Sequence, residues 1–149
     1  MEKEQTTLKG RFHVALVRDD QIIQEVDSWN TVLNLGKAQV AALMLTDVGG
    51  TAFDYIAVGT GTAAPNVTQT ALVGEKYRNA CTGSQQQTTV ANDTARLTCS
   101  IAMTATNTLS EAGALNSSSA GVLLARATFS GISVISGDTL NVGYDVAVA

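Results

Sequence analysis

One proline, one histidine, one tryptophan and two cysteines are spread over 149 residues, and lysine and arginine together number only nine. Each scarcity removes a class of chemistry. A single imidazole and two thiols, Cys81 and Cys99, are a poor start for the three or four ligands of a zinc site. Nine scattered cations on a chain of net charge −4 make no basic stripe for nucleic-acid phosphates. No stretch approaches the ~18 apolar residues of a membrane-spanning helix, and Met1-Glu2-Lys3-Glu4-Gln5 leads into no apolar signal-like run. The expectation is a soluble protein made in the cytoplasm, with no metal, cofactor, nucleic-acid or membrane partner.

Charge is also unevenly placed. Residues 1–30 carry ten of the 22 charged side chains, whereas residues 97–149 carry four: Glu111, Arg126, Asp138 and Asp145. A free monomer normally uses interspersed charges to stay dissolved, so the charge-poor half predicts a homo-oligomer with the 97–149 strands in its interface.

What is present is β-pattern. The length suits one domain, residues 1–149, with a core that needs no staples. Residues 1–6 offer a single apolar side chain and predict a flexible arm. Residues 7–29 predict a hairpin: Phe12, Val14 and Leu16 alternate along one face, Arg18-Asp19-Asp20-Gln21 turns, and Ile22 to Trp29 returns. From Thr31 to Leu45 the period changes. Leu35, Ala38, Ala41, Ala42 and Leu45 recur at three and four, predicting one α-helix over about 31–46, capped by Asn30 or Thr31 and ended by Gly49-Gly50. Being apolar nearly all round, it should be covered on more than one side. Strands are predicted at Tyr55–Val58, Lys76–Gln85, Arg96–Thr104, Thr108–Leu115, Val122–Ser130 and Leu140–Val148. The fold class is mainly β, an antiparallel β-sandwich or jelly-roll-like barrel with one packed helix.

Candidates for chemistry are few. Gly59-Thr60-Gly61-Thr62-Ala63-Ala64 after an apolar strand has the outline of a dinucleotide-binding turn, but Pro65-Asn66-Val67-Thr68 continues as no helix, so the segment reads as a strand leaving into a loop. His13 lies on the polar face beside Arg11 without a partner in sequence, and no Gly-x-Ser-x-Gly elbow occurs. No catalytic residue is assigned. Cys81 and Cys99 read as two buried small apolar residues, with a disulfide between them as the alternative. They face one another if the 81–99 hairpin centres near Val90, and miss by two pairs if it centres near Asn92. Glu111 and Arg126 are the only charges between Arg96 and Asp138, each interrupting an apolar segment, and a structural ion pair between them is the expected arrangement. Asp54, Asp138 and Asp145 stand isolated.

Four segments, in order, resemble a family of small virion proteins of tailed phages, described as head-decoration or tail-fibre-like. They are Trp29-Asn30-Thr31-Val32 before the helix; Tyr55-Ile56-Ala57-Val58-Gly59-Thr60-Gly61-Thr62-Ala63-Ala64-Pro65 with Thr70-Ala71-Leu72, Glu75 and Arg78; Leu109-Ser110-Glu111-Ala112-Gly113-Ala114-Leu115-Asn116; and Gly121 to Phe129 running into Ser136-Gly137-Asp138-Thr139-Leu140. The resemblance covers most of residues 29–146; the 7–29 hairpin and the polar 82–95 region fall outside it. It implies a structural, non-enzymatic virion protein, foremost a capsid decoration (cement) protein that binds the major capsid protein and stabilises the shell, commonly as a trimer. A tail-tip, baseplate or fibre-base component is the alternative it leaves open. With no heptad or collagen-like repeat, the chain lacks a receptor-binding shaft.

Overall fold

The computed structural model describes residues 3–149. Eleven elements follow one another: β1 (Leu8–Arg18), β2 (Gln21–Trp29), β3 (Thr31–Val32), α1 (Asn34–Leu43), β4 (Tyr55–Gly59), β5 (Glu75–Ala80), β6 (Thr82–Gln86), β7 (Thr94–Ala102), β8 (Asn107–Leu115), β9 (Leu123–Val134) and β10 (Thr139–Val148). The strands form two antiparallel five-stranded sheets, in the orders β2-β1-β10-β7-β6 and β3-β9-β8-β4-β5. Both sheets keep free edges, so the fold is a β-sandwich and the barrel alternative is set aside.

The first sheet obeys simple alternation because its outer face meets water. Phe12, Val14 and Leu16 of β1, Leu97 and Ile101 of β7, and Leu140, Val142 and Tyr144 of β10 point inward and are buried. Phe12 sits opposite Tyr144, and their rings stack with centroids 4.3 Å apart. The β1–β2 hairpin turns on Asp19 and Asp20 alone, both left-handed (φ 52° and 60°), which matches the twist of the flanking strands.

The second sheet is covered on both faces. Ile56 and Val58 enter the main core between the sheets, whereas Ala57 points the other way into a second core with Leu33, Leu72, Leu115 and Leu123, closed by the 60–74 loop. A change of register between Leu109 and Glu111 switches the phase of β8, so Leu109, Ala112 and Ala114 face the main core while Glu111 faces the outer one. From Leu109 to Leu115 every residue of β8 is buried. The low charge of residues 97–149 thus has an internal cause: β8 and β10 are the central strands of their sheets, so the scarcity does not of itself require a subunit interface.

Three expectations need correction. The helix is shorter than 31–46, because Thr31 and Val32 pair with Arg126 and Ala125 as a strand and Leu33 begins the helix without a side-chain cap. Its first amides are held instead by tertiary contacts: Leu33 donates to the Leu124 carbonyl and Asn34 to that of Val67, each at 2.9 Å. Nor is the helix covered on several sides. Gly36 alone is fully buried in it, pressed on the Leu124 backbone, and Leu35, Leu43, Met44, Leu45 and Val48 lie exposed in and after it. Finally, Lys76–Gln85 is two strands: the chain passes from one sheet to the other at Cys81, whose amide donates to the Asp54 carbonyl at 2.7 Å.

Candidate functional site

Glu111 and Arg126 come together on the outer face of the second sheet, beneath the 60–74 loop. Both are fully buried, and Arg126 Nε lies 2.7 Å from Glu111 Oε2. A carboxylate and a guanidinium out of water each need several further partners, because an unpaired buried charge costs several kcal/mol. The loop supplies them. Glu111 Oε1 accepts the amides of Gly61 (3.0 Å) and Gly74 (2.6 Å), and Oε2 accepts that of Val73 (3.0 Å). Arg126 Nη1 donates to the Ala63 carbonyl (2.7 Å) and to Gln69 Oε1 (3.3 Å), leaving Nη2 without a partner among the described residues. Burial would raise the Glu111 carboxyl, but the Gly74 amide, Arg126 and the Val73 and Gly61 amides outweigh it and hold the group below the usual carboxylate range.

The glycines of the Gly-Thr-Gly turn follow from this contact. A Cβ on Gly59 would stand 2.6 Å from Glu111 Oε1, and one on Gly61 2.7 Å from the same atom. Close approach of backbone to a carboxylate, rather than to a pyrophosphate, is what these residues permit. Arg78 performs a parallel task outside the core: its Nη1 donates to the Ser117 and Ala120 carbonyls, each at 2.9 Å, while Glu75 Oε1 receives its Nη2 at 2.7 Å. The segments of the resemblance therefore meet at one place, since Thr31 pairs with Arg126 and the rest supply Gly61, Glu111 and Arg126.

Of the aspartates isolated in sequence, Asp138 and Asp145 are also engaged. Asp138, isolated in sequence, receives Arg18 through Nε and Nη2 at 2.8 Å each, and the Ile135 amide at 2.9 Å. Those Arg18 hydrogen bonds hold it at about 2 against the opposing effect of burial. Asp145 receives Arg96 through Nε and Nη2 at 2.7 Å each. His13 lies on the exposed face of the first sheet with Nδ1 2.8 Å from Asp27 Oδ1. Arg11, His13, Arg96, Ser100, Asn141 and Asp145 border a shallow groove of about 670 Å³ there, floored by Gly143. Most of these polar groups are paired with one another, Ser100 to Asn141 included (2.7 Å). No group of three His, Cys, Asp or Glu side chains able to hold a metal ion occurs among the described residues, and no helix among them is long and apolar enough to cross a membrane.

Comparison with family models, with curated proteins and with solved structures finds no match for this chain.

Proposed function

We propose that the protein is a non-enzymatic structural component of a tailed-phage virion, a decoration protein that binds the major capsid protein and stabilises the shell as a homotrimer. The observation that carries the reading is the convergence of the resembling segments on the Glu111–Arg126 node. There a buried carboxylate and guanidinium fasten the 60–74 loop to the second sheet, which supports a structural role for the pair. Attachment surfaces of suitable character are present. Leu35, Leu43, Met44, Leu45 and Val48 expose apolar side chains around the end of the helix, and Ile22, Ile23 and Trp29 do so on the edge strand β2. The trimer rests on the resemblance, now that the charge-poor strands are accounted for by the chain's own core.

The test is co-sedimentation of the purified protein with phage capsids assembled without it. Saturable binding at a fixed ratio to the major capsid protein is expected. Binding to isolated tails alone would replace decoration by the tail reading, and binding to neither would overturn the virion assignment.

A further inference from the structure

The chain changes sheets at Cys81, and β6 leaves that point paired with β7 in the register Thr82↔Thr98, Gly83↔Leu97, Ser84↔Arg96. Continued by one residue, this register sets Cys81 directly opposite Cys99. Both side chains are half-buried and pack against the main core, so they share the inner face. Facing residues of an antiparallel pair have Cα atoms about 4.5–5.5 Å apart, within the range of about 4.4–6.8 Å that a disulfide bridges. Neither thiol is fully buried, which leaves a small reagent a route to the pair.

We propose that Cys81 and Cys99 are a disulfide-forming pair that a small-molecule disulfide oxidant closes within the folded protein. The two thiols are unequal. The neighbouring Cys81 thiol, which donates to the Asn79 carbonyl at 3.6 Å, holds Cys99 below the ordinary thiol range, while proximity to Cys99 and burial push Cys81 above it. Cys99, the readier thiolate, attacks one sulfur of the oxidant; a new S–S bond forms and half of the reagent leaves as a thiolate. Cys81 then gives up its proton and attacks the Cys99 sulfur, expelling the second half. Two protein thiols are oxidised and one reagent disulfide is reduced to two thiols. The bond would tie the crossover at Cys81 to the inner strand β7 and close the polar 82–98 excursion into a ring.

Folded protein incubated with glutathione disulfide is expected to lose the mass of two hydrogens, to yield a peptide joined at Cys81 and Cys99, and to melt roughly 5–10 °C higher until dithiothreitol reverses the change. In Cys81→Ser the reaction should stop with glutathione held on Cys99. An unchanged mass in the wild type, a stable glutathione adduct there, or closure only after unfolding in urea would each overturn the proposal, and the wild-type mass decides it even where a variant fails to fold.

Discussion

Arg126 Nε and Glu111 Oε2 lie 2.7 Å apart with neither side chain open to solvent, and the same carboxylate accepts three backbone amides from the loop above it. Because four donors converge on one group, Glu111 joins β8, β9 and the 60–74 loop into a unit. Replacing either partner by alanine strands a buried charge. Both Glu111→Ala and Arg126→Ala are expected to lower stability by about 3–5 kcal/mol in urea unfolding. Glu111→Ala should be the more damaging, since it also orphans three amides. Two variants that unfold like the wild type would show that the node does not hold the fold.

Glycine substitutions separate close approach from mere flexibility. At Gly36 a helix-interior alanine would ordinarily gain about 1 kcal/mol, but here its Cβ would stand 2.7 Å from Leu124 Cα, so Gly36→Ala is expected to destabilise by about 1–3 kcal/mol. Gly61→Ala should be destabilising for the same reason. Gly143→Ala, with nothing within 4 Å, is the control and should stay within about 0.5 kcal/mol. Equal effects at the three positions would mean that contact is not what selects glycine at Gly36 and Gly61.

How legible this was depends on the face a residue occupies. Strands β1, β7 and β10 announce themselves by alternation because water meets their outer side. In β8 the run Leu109-Ser110-Glu111-Ala112-Gly113-Ala114-Leu115 is buried on both sides and crossed by a register change, which hides the period. The break at Cys81 carries no glycine or proline to mark it. Glu111 and Arg126 were visible as lone charges in apolar strands, but apart from the Gln69 side chain their loop partners are backbone amides and a carbonyl, which have no signature in sequence. The helix misled because its apolar residues suggested cover on several sides, whereas Gly36 and Val40 make the contact and much of the rest stays exposed.

Acid should weaken the protein in a defined window. Glu111 and Asp138 are both depressed in the folded state, Asp138 to about 2. Such a group contributes stability that is complete above its unfolded value, about 4, and is lost as pH falls through the folded value. The urea midpoint is therefore expected to hold between about pH 5 and 7 and to drop progressively below about pH 4. Asp138→Asn should shrink the drop. A midpoint unchanged at pH 3 would contradict the assignment.

The N-terminal arm is expected to be separable from the fold. Lys3 to Thr6 are exposed and form no regular element, while Met1 and Glu2, which belong to the same predicted arm, lie outside the described residues. Thr7 exchanges backbone hydrogen bonds with Ala149. Deleting residues 2–6 is expected to leave the melting temperature unchanged and to weaken binding to the capsid. Lost stability would place the segment within the fold, and unaltered binding would move attachment elsewhere, with the 60–75 loop next to be tested.

The virion reading turns on copy number. Quantitative mass spectrometry of purified phage particles, with this chain measured against the major capsid protein, tests it most directly: the account predicts hundreds of copies per particle, and a count of tens or fewer, or none at all, would contradict a role as a capsid decoration protein.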